Sequence, residues 1–330
     1  MFLGIETSCD ETSIAVIDEN YNLLSCVIFS QDEIHREWGG VFPELASRAH
    51  LERIREVFDR AISDANIKIS DIKAIGVTYG PGLIGSLLVG LSFAKGLSIS
   101  LNVPLYGINH LDGHLSLPLI ENRNIPLPAI GLIVSGGHTE LVYIKDWGIY
   151  ETLGRTLDDA AGEAFDKVAR MLGYSFPGGP IIDEVSKKGK PCIKFPIAKI
   201  KKEGFDFSFS GIKTAVFYYL RDNPNCSKED VACSFQEAAI GALIIKVFEA
   251  LSHKDAKSIV LGGGVACNTL LREKMEIEGK ERKIPIFFPS KRLCTDNGAM
   301  IGACLLRKIK NGEPPSCLSI SSEPNIILNP

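Results

Sequence analysis

Phe2-Leu3-Gly4-Ile5-Glu6-Thr7-Ser8-Cys9-Asp10-Glu11-Thr12-Ser13-Ile14-Ala15-Val16-Ile17 is the stretch on which the fold turns. Two apolar runs flank a polar turn, the pattern of a β-hairpin. Residues 23–29 add a third apolar run to the same sheet. The pattern returns in mid-chain, where strands at 129–134 and 140–144 flank Ser135-Gly136-Gly137-His138-Thr139. A second module also repeats. A strand at 72–77 leads through Gly80-Pro81-Gly82 to a long apolar helix at 86–101. A strand at 258–261 leads through Gly262-Gly263-Gly264 to a helix from Thr269. Such repetition predicts an internally duplicated α/β chain in two lobes with mixed sheets and a central cleft. One lobe would hold residues 1–125, completed by a helix at 297–312. The other would hold 126–296, with a helical insertion at 151–250. Glycines between strand and helix let backbone approach a ligand, and the helix N-terminus favours an anion.

The bulk numbers fit a globular chain. It has 330 residues, 45% hydrophobic and 23% charged, enough for two domains. No uninterrupted apolar run approaches the eighteen or so residues of a membrane span, so no membrane segment is expected. The start reads straight into a strand, without the pattern of a signal or transit peptide. Nine cysteines lie scattered without C-x-x-C spacing. That favours free thiols in a reducing cytoplasm over a disulfide framework or a cysteine zinc site. A net charge of −4 does not mark a nucleic-acid binder, although a local basic patch would suffice for one.

Two of the six histidines, His110 and His114, stand four residues apart after a strand at 103–108. On a helix they share one face and can grip one ion. A metalloprotease helix reads H-E-x-x-H, and Leu111 takes the place of its glutamate base. Asp296, ahead of a small-residue helix at 297–309, is the best-placed distant carboxylate to complete the pair. It would otherwise serve as an N-cap. Two histidines and a carboxylate with open positions suit Fe(II) and permit zinc.

Other polar stretches have bland alternatives. Thr7, Ser8, Asp10, Glu11 and Thr12 form either a solvated hairpin tip or a phosphate- and proton-handling turn. Asp166 falls on a helix at 156–173, and Asp183 follows the rigid turn Pro177-Gly178-Gly179-Pro180. Lysines 187, 188, 190, 194, 199, 201 and 202 crowd one segment. They make either a solvated loop or a phosphate-contacting edge.

Taken together, the motifs resemble a known family. They are G-I-E-T-S-C-D-E-T (4–12), G-G-V-F-P-E-L-A-S-R (39–48), G-P-G-L-I-G-S-L (80–87), N-H-L-D-G-H (109–114) and I-V-S-G-G-H-T (133–139). They continue with D-D-A-A-G-E-A-F-D-K (158–167), P-G-G-P (177–180), F-S-F-S-G-I-K-T (207–214), G-G-G-V-A-C-N (262–268) and C-T-D-N-G-A-M (294–300). The chain resembles the bacterial tRNA N6-adenosine threonylcarbamoyltransferase family, TsaD, on the actin-like, sugar-kinase and Hsp70-type ATPase fold. The resemblance spans essentially the whole chain.

It implies transfer of threonylcarbamoyl from threonylcarbamoyl-adenylate to N6 of adenosine 37 in tRNAs reading codons that begin with A, releasing AMP. It implies metal ligation by His110, His114 and Asp296. It implies substrate binding by Ile133, Val134, Ser135, Gly136, Gly137, Asp166, Gly179, Asp183 and Asn268. Asp10 or Glu11 is the expected proton acceptor. The expected partners are a TsaB-like paralogue and a TsaE-like ATPase. Competing readings are a non-catalytic actin-like subunit, which would not need the intact triad, a small-molecule kinase, and an endopeptidase, which Leu111 argues against.

Overall fold

Strand pairing follows the two sequence repeats. The computed structural model describes residues 1–36, 38–198 and 204–328. The chain divides into two compact units, one of Met1–Ile125 with Thr295–Asn329, the other Pro126–Cys294.

In the first unit the order is β1 (Phe2–Glu6), β2 (Glu11–Ile17), β3 (Leu23–Ser30), α1 (Asp32–Arg36), α2 (Pro43–Asp64), β4 (Ala74–Gly80), α3 (Ile84–Leu101), β5 (Leu105–Asn109) and α4 (His110–Ser116). The second unit runs β6 (Ala129–Val134), β7 (Thr139–Asp146), β8 (Ile149–Arg155), α5 (Ala161–Met171), α6 (Gly178–Ser186), α7 (Ser210–Asp222), α8 (Lys228–His253), β9 (Ser258–Gly262), α9 (Thr269–Arg282) and β10 (Ile286–Phe287). Helix α10 (Gly298–Lys310) then returns to the first unit.

Each unit carries a five-stranded mixed sheet, ordered β3-β2-β1-β4-β5 and β8-β7-β6-β9-β10. In each, the first strand pairs antiparallel with the second and parallel with the fourth. The second and third strands are antiparallel and the fourth and fifth parallel. The duplication is therefore topological as well as sequential.

The main departures from expectation lie in short or mixed segments. β8 falls inside the stretch expected to be helical, and helix begins only at Ala161. The strand expected over 283–289 shrinks to Ile286–Phe287. α3 and α8 each contain an 18-residue window of mean hydropathy 1.6, long and apolar enough to cross a membrane. Counting uninterrupted apolar residues missed them because serines, glycines and single charges punctuate both. In α8 67% of that window is buried inside the protein, as in a core helix. In α3 the buried face is Leu87, Gly90, Leu91, Ala94 and Ser98, a stripe at helical spacing.

β1 is buried along its whole length. Two glycines, Gly4 and Gly298, let α10 lie directly on it. A Cβ on Gly4 would sit 2.2 Å from the Gly298 carbonyl oxygen and 2.4 Å from the Gly302 nitrogen. One on Gly298 would meet the Ala15 nitrogen at 2.5 Å. The Gly298 N–H also donates to Ser13 Oγ at 2.9 Å. These contacts are backbone against backbone, so an added methyl cannot be absorbed by a rotamer change. Gly298→Ala should lower stability by about 3 kcal/mol, at the upper end of ordinary overpacking. Denaturant midpoints of the two proteins would read it, whereas Gly96→Ala, whose Cβ meets open space, should be neutral or stabilising.

Candidate metal centre and glycine cradle

The metal candidate is built at strand ends. α4 begins where β5 stops. Its N-cap Asn109 accepts hydrogen bonds from the Leu111 and Asp112 backbone N–H groups. One helical turn then sets the His110 and His114 rings edge to face, centroids 4.6 Å apart. Asp296 reaches them because α10 starts two residues later. Its N-cap is Asn297, which accepts from the Met300 N–H. That corrects the alternative capping role for Asp296.

Asp296 Oδ1 lies 3.1 Å from His114 Nε2 and 3.7 Å from His110 Nε2. Ligand atoms around one tetrahedral ion with bonds near 2.1 Å stand about 3.4 Å apart, which these distances bracket. All three ligand atoms lie within 4.8 Å of one another, and the group could hold a metal ion. Among the described residues, neither buried ring nitrogen of His114 has a hydrogen-bond partner. The Nε2–Asp296 approach is close but misaligned for a hydrogen bond, as befits two atoms aimed at a shared third. Leu111 is buried and apolar, so the position that a peptidase helix gives to its glutamate base carries no carboxylate here.

Charge reinforces the geometry. Burial opposes a charged His110, but Asp296 and Glu6 outweigh it and hold its pKa up at about 9. The pocket favours a positive charge at this point. Glu6 is itself fully buried. Burial works against its charge, yet His110 and Thr78 hold its carboxyl below the usual range.

Asp10, Glu11 and Asp32 form a second acidic group in the same unit. Burial, then the neighbouring Asp10 and Asp296, push the Glu11 carboxyl well up. His50 on α2 braces the turn, bonding Thr12 Oγ1 at 2.7 Å and the Cys9 carbonyl at 2.9 Å. The turn is thus largely buried rather than a solvated tip.

The second unit gathers the other expected residues. Ile133 and Val134 end β6, buried, and Ser135-Gly136-Gly137 turn out of it. The Gly162 N–H donates to the Ser135 carbonyl, so α5 starts against that turn. Gly263, at φ +96°, approaches so closely that a Cβ would lie 2.3 Å from the Val134 carbonyl oxygen. Gly136, Gly137, Gly179 and Gly264 have nothing within 4 Å of a Cβ position. The polar members are also structural. Asp166 accepts from the Gly178 N–H at 2.7 Å. Asp183 accepts from the Thr269 N–H and hydroxyl. Asn268 caps α9 and donates to Gln236.

The lysine segment is divided. Lys199, Lys201 and Lys202 lie outside the described residues. Lys187 pairs with Glu184, and Phe195 is buried in the core.

The family model for TsaD, tRNA N6-adenosine threonylcarbamoyltransferase, matches residues 22–303. The chain belongs to the tRNA N6-adenosine threonylcarbamoyltransferase family. It is 48% identical to the transferase of that name from Carboxydothermus hydrogenoformans over 328 residues, covering 99% of this chain and 98% of that one. It is 50% identical over 310 residues to the Kosmotoga olearia transferase, covering 94% of each. Solved structures share the duplicated actin-like fold at low identity. HypF from T. kodakarensis gives a TM-score of 0.64 at 16% identity, covering 94% of this chain and 48% of that one. The Acidaminococcus fermentans (R)-2-hydroxyglutaryl-CoA dehydratase component A gives 0.58 at 15%, covering 94% and 98%. The chain is accordingly a transferase enzyme of tRNA modification.

Sequence reasoning missed a buried ion pair behind α4. Arg307 Nη2 donates to Asp112 Oδ2 at 2.7 Å, clamping the histidine helix to α10. The partners are 195 residues apart, and neither carries a local signal. Arg307→Met or Asp112→Leu alone should cost about 3–5 kcal/mol by stranding a buried charge. The double variant should recover most of that loss, as a double-mutant cycle by urea titration would register.

Proposed function

We propose that the chain transfers threonylcarbamoyl from threonylcarbamoyl-adenylate to N6 of adenosine 37 in tRNAs reading codons that begin with A, with release of AMP. The observation that carries this is the convergence of His110, His114 and Asp296 in a chain of this family. The ion is Fe(II), with zinc permitted, because two histidines and a carboxylate leave open positions. When bound, it supplies Lewis-acid stabilisation of charge and a template for the donor.

The donor is a mixed anhydride and needs no enzyme nucleophile. The protein's work is to align donor and amine and to stabilise developing charge. Ile133 and Val134 wall the donor site, and the Gly136 and Gly137 N–H groups cradle phosphate or carbonyl oxygen in a turn that the Ser135 N–H closes on the His138 carbonyl. Asp166, Asp183 and Asn268 bind ribose hydroxyls or the donor's carbamoyl N–H, and Gly179 leaves room for them. Asp10 or Glu11 accepts the N6 proton. The raised Glu11 carboxyl favours it, since a base works best with a pKa near the working pH.

A TsaB-like paralogue and a TsaE-like ATPase assist in the cytoplasm. Leu51 on α2 and Ile84 and Leu88 on α3, all exposed, support an apolar protein contact.

His110→Ala, His114→Ala and Asp296→Ala should each lose metal and tRNA modification together, with modest loss of stability. Elemental analysis beside mass spectrometry of tRNA nucleosides, after incubation with threonylcarbamoyl-adenylate, checks this. A variant that loses metal yet still modifies tRNA removes the ion from the chemistry. Gly264→Val should keep the fold, since its Cβ meets open space, and weaken donor binding at least tenfold by calorimetry. Unchanged affinity would put the donor elsewhere.

A further inference from the structure

The mechanism above makes no use of Glu6, the most deeply buried carboxylate beside the metal candidate. It ends β1, paired antiparallel with Ser13, and the parallel neighbour β4 brings Thr78 alongside. Its Oε1 accepts the Ser8 N–H at 2.5 Å. Its Oε2 accepts the Thr78 hydroxyl at 2.6 Å and faces His110 Nδ1 at 3.2 Å. Ser8 Oγ also lies 3.1 Å from that Nδ1. His110 is thus held by one ring nitrogen while the other points towards Asp296 and His114.

We propose that Glu6 is a positioning residue for the transfer reaction, accepting the Nδ1 proton of His110 and so fixing Nε2 as the atom that meets the ion. A carboxylate anchored at Oε1 by Ser8 and at Oε2 by Thr78 cannot swing away. It therefore fixes both the tautomer and the ring plane of His110. A metal-ligating imidazole commonly donates its second N–H to such an outer carboxylate, and losing that partner costs 10–100-fold in metal affinity. Among the described residues His114 has no equivalent, since its buried Nδ1 meets no hydrogen-bond partner there. The two ligands are therefore unequal. His110 is preset by the sheet, and His114 is held by helix packing alone.

This inference rests on the reading of His110 as a metal ligand, and the test separates the two. Glu6→Gln keeps the shape and removes the charge. Zinc affinity of the wild type and the variant would be measured by competition with a chromogenic chelator. The thermal midpoint of each chelator-treated protein is read in parallel. The expected result is a 10–100-fold weaker affinity in a folded Glu6→Gln protein. In zinc-loaded wild type, nitrogen-15 NMR should show His110 protonated at Nδ1. A merely structural glutamate would lower the midpoint and leave the affinity of the folded protein unchanged, which overturns the proposal. Zinc bound through His110 Nδ1 overturns it equally. A wild type that binds no zinc overturns both the ligand reading and this inference. Should Glu6→Gln not fold, Thr78→Val removes only the hydroxyl that steadies Oε2. It should weaken zinc several-fold, and unchanged affinity there overturns the proposal.

Discussion

The contact between α10 and the first sheet is the constraint on which the candidate site depends. Gly4 and Gly298 bring helix backbone against strand backbone at distances no side chain allows. That contact returns the end of the chain to the unit formed by its beginning. It fixes where α10 starts, and so where Asp296 stands relative to a histidine pair almost two hundred residues earlier. The Arg307–Asp112 pair, one end on each helix, holds the same two elements further along. A metal group assembled this way rests on packing of the fold rather than on a flexible loop, which suits a site that must keep its geometry while leaving positions open for a ligand.

The electrostatics follow from burial. Within one unit, Glu6 and two imidazoles are buried beside the partly exposed Asp296, with Asp10 and Glu11 in the same unit. Carboxylates in such a place need cations or donors. Glu6 has donors and stays charged, and His110 is driven towards protonation by its two acidic neighbours. Glu11 lacks that support and is pushed towards its neutral form. A divalent ion between the histidines and Asp296 would satisfy the charge that His110 otherwise carries as a proton. The neighbouring carboxyls are thereby sorted into one that orients and one poised to exchange a proton.

Much of this was legible in the sequence because the chain says most things twice. The hairpin of 2–17 returns at 129–144, and the strand–glycine–helix module of 72–101 returns at 258–282. Both repeats became sheets of one topology. The histidine pair could be read from spacing, since i and i+4 are neighbours on any helix. β8 was harder, because Glu151, Gly154 and Arg155 dilute its apolar alternation and the sheet supplies what propensity does not. Glu6 was read only as the end of a strand. Its meaning depends on Thr78 and His110, which strand register and not sequence brings to it. Asp183 and Asn268 show the reverse problem. Their motif points to ligand contact, while their side chains also tie the start of α9 to α6 through Thr269 and to α8 through Gln236.

The central claim is that one ion sits among His110, His114 and Asp296. The most direct measurement is an anomalous difference map from crystals of the metal-loaded protein, collected at the absorption edge of the metal. The account predicts a single peak about 2.0–2.2 Å from the Nε2 atoms of His110 and His114 and from Asp296 Oδ1. A peak among Asp10, Glu11 and Asp32 with none between the histidines would contradict it.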